Sequence, residues 1–526
     1  MTGERGERAR GSGNKQEKSR RMKRKRLNLK QADSRVLMAC LIGLFMIWEL
    51  PRMLHVPRAD QITWWIQIGE LILVGAVLGK IRYSENRWIF PLILGLILIF
   101  LTSAIRPPAV LEATKPVILR GLFIYLLCPA VGILLTEKDV RKFLTVFIAI
   151  WVGFFTVLSA EGIYSMHTGI TILDSSGIYG IGNEDGHLNL NSYYTVSAAN
   201  LAMAILMAVI GINLTTKKIP KVLYVICILI MQYALALTTG RAGMFATGIG
   251  LGITAASWAE IKLRGRIQVK WKRVLVLCCV IVIVTAGIYP VFMLEESIYN
   301  GQIRGAEAVG LIPGARAEGE AAEATEAPEA AEAVAAPETA EAAGMTEAVA
   351  AAETAEAAET TETVVAVEMP EMPNIHELQT RTLWREGLSG RGAVYRQVID
   401  LIREKPYLLL TGTSVPLVME YVNKAGDEYF EHVHCMPLQI LLETGIWGLG
   451  LLILFLIPFL RAAWKLFFAT EEPGWKRLIF LPTICMFCIE MIECILRLKV
   501  GLQVEVPVFL FYGLTICLAK TVKEPA

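Results

Sequence analysis

Apolar residues fall in long unbroken runs separated by short polar stretches. The runs cover residues 36–54, 62–79, 88–105, 116–135, 142–160, 192–213, 221–238, 241–259, 273–294, 437–460, 477–498 and 502–519. Each approaches the ~20 residues an α-helix needs to cross ~30 Å of hydrocarbon. The ~10-residue alternating segments of a transmembrane barrel are not the pattern here. The runs therefore predict an all-α polytopic membrane protein with about twelve transmembrane helices. The run 241–259 is rich in Gly and Ala, which suits close helix packing in lipid. Two polar gaps are long, 161–191 and 295–436. The second separates spans nine and ten and predicts a large extracytoplasmic loop.

Composition agrees with this reading. The chain of 526 residues is 54% hydrophobic and 19% charged, against about 25% charged in soluble domains. A soluble globular enzyme is excluded. Nine of the ten cysteines lie within apolar runs, so no disulfide framework is expected, and Cys485-x-x-Cys488 reads as packing inside a helix.

Charge adds orientation. The net charge of +2 conceals sixteen Glu against one Arg in residues 305–373, which leaves +17 for the remainder. Residues 1–35 carry thirteen Lys or Arg against four acids and predict a basic, disordered cytoplasmic arm that touches anionic lipid. No aromatic interleaving accompanies that charge, so no nucleic-acid partner is expected. With the arm inside, the short loops 80–87, 136–142, 214–221, 260–273 and 461–476 are all basic and all cytoplasmic. Both termini then lie in the cytoplasm, and the acidic stretch lies outside. The expected organisation is the arm 1–35, spans one to nine in 36–294, the outer loop 295–436, and spans ten to twelve with a short cytoplasmic tail in 437–526. Residues 305–373 lack the large apolar side chains a core needs and predict a disordered Ala/Glu-rich insert. Residues 391–404 place Val394, Tyr395, Val398, Ile399 and Ile402 at helical spacing. They predict an amphipathic helix that ends before Pro406.

Charged groups at membrane depth are costly and mark candidate sites. Arg106, Lys115, Arg120 and Arg241 gather at the outer ends of spans, where the positive-inside rule disfavours them. Guanidinium groups there suit a phosphate or carboxylate ligand. Glu443 lies near the start of the tenth span. Glu493 and Arg497, four apart, are read as a structural pair on one helix face, which leaves Glu490 in need of another partner. The deepest acid is Glu70, read as hydrogen-bonded to a neighbouring helix. His434, beside His432, is a natural proton acceptor at the mouth of a membrane cavity. His187, Asn189 and Asn191 precede the sixth span, where amides bind sugar hydroxyls or cap a helix. Nucleotide-binding, zinc-hydrolase and serine-hydrolase motifs are not found in the sequence.

Leu388-Ser-Gly-Arg391, the amphipathic helix, Pro406, Gly412, His434 and Leu441-Leu-Glu-Thr-Gly-Ile-Trp-Gly448 together resemble the signature of the O-antigen ligase/polymerase family. Leu237-Thr-Thr-Gly-Arg-Ala-Gly243 is similar to that family's second arginine motif, and Asn191 to an Asn that opens a mid-chain span. The sequence departs from the pattern at Cys435, where Asn is usual, and at Tyr395, where Trp is common. The resemblance implies a metal-independent membrane glycosyltransferase without cofactor, in a bacterial cytoplasmic membrane. Its donor would be a polyprenyl-pyrophosphate-linked glycan in the outer leaflet. Its acceptor would be a glycan, a lipid or a protein hydroxyl. Residues 388–436 would form the catalytic loop. Arg241 and Arg391 would hold the pyrophosphate, and His434 would deprotonate the acceptor. Arg106, Arg120, Asn191 and Glu443 are the further substrate-binding candidates. A transporter or flippase of lipid-linked glycans, and a protein O-oligosaccharyltransferase, are the alternative readings.

Overall fold

The computed structural model describes residues 86–122, 125, 137–168, 170–171, 181–184, 187–190, 192–308, 391–425, 433–496 and 502–522. The expected arm, the first two spans with Glu70, most of the acidic insert, Asn191, His432 and Arg497 lie outside them. The chain divides into two units, Met1–Gln302 with Gln379–Ala526, and Ile303–Leu378. Apart from 303–308, all described residues belong to the first unit.

A short 3-10 turn, Arg87–Ile89, leads into α1 (Phe90–Ala104), followed by α2 (Pro108–Leu122) and α3 (Glu137–Thr168). An antiparallel hairpin of β1 (Ile181–Glu184) and β2 (His187–Leu190) comes next, with Glu184 opposite His187. Then follow α4 (Tyr194–Leu214), α5 (Lys218–Leu237), α6 (Arg241–Leu263) and α7 (Lys270–Ala308). From residue 391 come α8 (Arg391–Glu404), the single turn α9 (Leu408–Thr411), α10 (Val418–Lys424), α11 (Met436–Phe467), α12 (Gly474–Arg477), α13 (Leu481–Glu490) and α14 (Leu502–Thr521).

Seven helices among the described residues are long and apolar enough to cross a membrane: Arg87–Ala104, Asp139–Thr168, Tyr194–Leu214, Lys218–Leu237, Arg241–Leu263, Trp271–Phe292 and Met436–Phe467. The chain is therefore a mostly helical, multi-pass membrane protein. Of the other expected spans, 502–519 forms the helix α14 (Leu502–Thr521). The run 116–135 gives a helix that starts at Pro108 and is described to Leu122. Within the run 477–498 the helix α13 spans ten residues, because the chain leaves the helix after Glu490. The gap 161–191 contains the end of α3 and the hairpin.

Burial separates the centre from the rim. In α4, 83% of the apolar window is buried, against 6% in the window of α7. An apolar helix covered on all sides is a core element, while one left uncovered suits contact with lipid. α4 packs against α3, α5, α6 and α13. Its approach to α6 is close because Gly240 and Gly243 face Ala198. A Cβ on Gly243 would stand 2.8 Å from the Ala198 carbonyl oxygen. Small residues at such a contact allow dense packing where lipid supplies no hydrophobic drive.

On the expected cytoplasmic side, loop charges turn inward. Arg477 is fully buried and donates to Phe467 O at the end of α11 and, at 2.7 Å, to Ser257 O in α6. Carbonyls at a helix C-terminus are a favourable place for a cation. Lys476 joins Glu137 and Glu472, both at 2.7 Å. Burial alone would lower its pKa, but the two carboxylates outweigh that and raise it.

On the opposite side, α11 breaks at Gly445, whose φ of 71° and ψ of −168° are not helical. The break releases carbonyls for a second segment. Thr413 N donates to Leu442 O at 2.7 Å, and Ser414 N donates to Glu443 O at 3.0 Å. The turn 411–414 is thus built into the break, with Gly412 itself at φ 66°. A Cβ on Gly445 would stand 2.7 Å from Leu410 O. Replacing Gly445 by Ala should therefore cost about 2–3 kcal/mol from backbone strain and collision. The expected readout is a lower melting temperature of the purified protein. An unchanged melting temperature would show that the break does not depend on glycine.

Candidate functional site

The site starts from α8. Its buried face is Val394, Gln397, Val398 and Leu401, while Ile399 is 48% exposed. The amphipathic helix exists where expected, with its apolar stripe turned by part of a turn. This face closes a small core with Leu408, Val418, Val422, Val433 and Leu442. That core fixes Arg391, the first residue of α8, close to the segment that enters α11.

His434 lies in that segment, at φ 55°. A non-glycine residue in the left-handed region is uncommon and marks a place where the surroundings over-determine the backbone. Cys435 follows as the N-cap of α11 and its carbonyl accepts from Gln439 N at 2.9 Å. Tyr395 of α8 donates its hydroxyl to the His434 carbonyl at 3.2 Å. Burial chiefly raises the Tyr395 pKa, with help from Cys435 and Glu493 and against Arg391, so the phenol keeps its proton.

Glu493 joins these pieces. One of its carboxylate oxygens accepts from the Arg391 guanidinium, and the other lies 3.0 Å from His434 Nδ1. The carboxylate is 6% exposed. Glu493 thus serves Arg391 and His434; the expected pairing with Arg497 lies outside the described residues. Glu493 is not on a continuing helix. α13 ends at Glu490, and the chain unwinds through 491–496. Glu490, for which the sequence offers no local partner, explains the unwinding. Its Oε1 accepts from Ile495 N at 2.9 Å and Leu496 N at 2.7 Å. A carboxylate that gathers backbone donors stabilises the turn that aims Glu493.

Beside this group, Arg106 donates to Gly412 O at 2.9 Å. Arg106 therefore braces the same turn whose Ser414 amide binds Glu443 O. The Glu443 side chain accepts from Gln439 Nε2 at 2.8 Å. Glu443 and Gln439 both line a cavity of about 290 Å³ that is otherwise mostly apolar. Met436 and Cys494, near His434 and Glu493 in sequence, also line it.

The remaining candidates are placed as follows. Arg241 opens α6, half-buried, after a tight turn in which Thr239 has φ 51°. Arg120 falls within α2. His187 and Asn189 lie buried in β2, a strand where the sequence suggests only helix capping or sugar binding. Arg391, His434, Arg106 and Glu443 are thus brought into one neighbourhood by α8, the 411–414 turn and the start of α11. The partners of Glu493 lie 102 and 59 positions away, beyond what local spacing along the chain reveals. A signal is present: three acids, Glu490, Glu493 and Glu505, accompany one nearby arginine in these two runs.

Removing one partner of a buried ion pair costs about 3–5 kcal/mol because the other charge is stranded. Arg391→Ala and Glu493→Ala should therefore each lower stability, while the double variant loses clearly less than the sum. Melting of the four proteins checks this, and additive losses would show that the two groups do not interact.

Residues 223–453 match the protein family model described as O-antigen ligase. The match contains Arg241, Arg391, His434 and Glu443. No curated protein matches the chain.

Proposed function

We propose that the chain, whose residues 223–453 match the O-antigen ligase family model, transfers a polyprenyl-pyrophosphate-linked oligosaccharide or polysaccharide to a glycan acceptor on the outer face of a bacterial cytoplasmic membrane. The observation that carries this reading is the Glu493 carboxylate, shared by Arg391 and His434. A phosphate-binding cation and a proton acceptor stand on one rigid anchor.

In this reading Arg241 and Arg391 bind the donor diphosphate. Arg391 gives Glu493 only part of its five-donor fork, so the other N–H groups face the ligand. Glu493 accepts the Nδ1 proton of His434 and so leaves Nε2 as the base. Nε2 takes the proton of the acceptor hydroxyl. The hydroxyl oxygen bonds to the anomeric carbon as the bond from that carbon to the diphosphate oxygen breaks. The electron pair leaves with the lipid diphosphate, whose charge the arginines stabilise. Attack opposite the leaving group inverts the anomeric centre. The donor is already activated, so this route needs no metal or nucleotide. Arg106, Arg120, Asn191 and Glu443 complete the substrate surface, and residues 388–436 form the catalytic loop. The basic arm and both termini lie in the cytoplasm, and the Ala/Glu insert is an outer spacer. A protein hydroxyl or a lipid-borne sugar is the other acceptor class.

The test is glycan analysis of a deletion strain complemented with variants. His434→Ala, Arg391→Ala and Arg241→Ala should each lower transfer by about 100-fold or more, the scale expected for losing a base or an oxyanion-stabilising group. Normal long-chain glycan in all three would sink the assignment in favour of transport. Accumulated single repeats would identify a polymerase, and accumulated polymer on the carrier a ligase.

Deleting residues 309–373 should leave transfer intact. Complete loss on that deletion would show that the insert is part of the working enzyme.

A further inference from the structure

The hairpin has no part in the chemistry above, yet it is firmly held and reaches a strained residue beside Arg241. Leu188 and Leu190 press on α3 at Gly162, where an added Cβ would stand 2.7 Å from each of them. Leu188 and Leu190 are buried. The strand pair therefore sits on the helix as a fixed platform. From it His187 points inward, 6% exposed, its ring stacked on Tyr194 at 4.2 Å and 18°.

The other face of the contact is the turn between α5 and α6. Thr238 binds its own helix through Leu235 O at 2.7 Å and receives Gly240 N at 3.2 Å. Gly240 is pressed against Ala198 with no room for a Cβ. Between them Thr239 is forced to φ 51°. For a β-branched side chain that conformation is an outlier. Its amide donates to Ala236 O at 3.0 Å, and its hydroxyl is hydrogen-bonded to His187 Nδ1. Two residues on, Arg241 begins α6.

We propose that His187, presented by the hairpin, is a positioning residue that sets Arg241 for the donor diphosphate by holding Thr239 in its left-handed conformation. The inference rests on the reading of Arg241 as a diphosphate contact. The hairpin thereby acquires a purpose. The platform on α3 fixes His187, His187 fixes the turn, and the turn fixes the direction in which α6 starts. A guanidinium reaches a phosphate in bidentate fashion only within a narrow range of approach. A shift of about 1 Å at the start of its helix is enough to cost up to 100-fold.

The test uses the full-length protein in lipid nanodiscs, with farnesyl diphosphate as the probe and calorimetric titration as the readout. Variants are Arg241→Ala, His187→Ala, His187→Asn and Thr239→Ala. Asn places an amide near the position of Nδ1 and can keep the bond to Thr239. Arg241→Ala should weaken binding by at least about tenfold, the loss of one charge-assisted contact. His187→Ala and Thr239→Ala should each weaken it by about tenfold, as expected for a displaced contact. His187→Asn should restore affinity, with melting temperatures of all four close to the parent. If the parent does not bind the probe, or if Arg241→Ala binds like the parent, the diphosphate reading falls and the positioning role with it. Weak binding by Arg241→Ala with parental binding by His187→Ala or Thr239→Ala overturns the positioning role alone. Equal weakening by His187→Ala and His187→Asn, with a lowered melting temperature in both, assigns His187 to structure only and also overturns it.

Discussion

A carboxylate withdrawn from water must find cations or donors, and Glu493 shows what that demand organises. At 6% exposure it cannot remain charged alone without a large cost. Its solution is to take Arg391 from the loop helix and His434 from the entry to α11. The start of α8 and the entry to α11 are thus tied to the segment after α13 through this anion. The tie also explains why α13 stops early. A continuing helix would have carried Glu493 on a lipid-depth cylinder, whereas the turn capped by Glu490 lets it face across to the loop.

A second constraint works beside it. Backbone at membrane depth must satisfy every donor and acceptor within the protein. The break at Gly445 exposes two carbonyls, and the turn 411–414 supplies the two amides that cover them. Arg106 reaches the same turn from the end of α1. The motif Glu443-Thr-Gly445 is therefore a backbone device in this chain. Gly445 adopts what other residues avoid, and Glu443 contributes its carbonyl to the turn and its side chain to the cavity.

The long apolar runs are legible because their length is dictated by bilayer thickness and leaves little choice. Spans such as Tyr194–Leu214 and Lys218–Leu237 fall within a few residues of the runs that predict them. The helix at Arg391–Glu404 is legible from its spacing alone, although Ile399 is misplaced because a single helix does not reveal which neighbour it meets. Arg391 and His434 stand out as separate motifs. What joins them does not, since Glu493 lies 102 and 59 residues away and local spacing offers Arg497 first. The hairpin is invisible for a related reason. Its four-residue strands are too short for an alternation signal, and their burial is imposed by α3 and α4.

Among the described residues, three that are not glycine carry positive φ: Thr239, Ser414 and His434. Each stands within or next to a segment that shapes the candidate site. Glycine would adopt these angles freely, so the chain tolerates local instability in order to keep a hydroxyl, a hydroxyl and an imidazole where they are. Backbone relaxation and retention of these side chains are therefore set against each other at these positions. A search for a hardier protein would be drawn to glycine at all three, and would select variants that survive heat with those side chains removed. Engineering for robustness belongs instead on α7, whose side chains are little buried among the described residues and bear no such conflict.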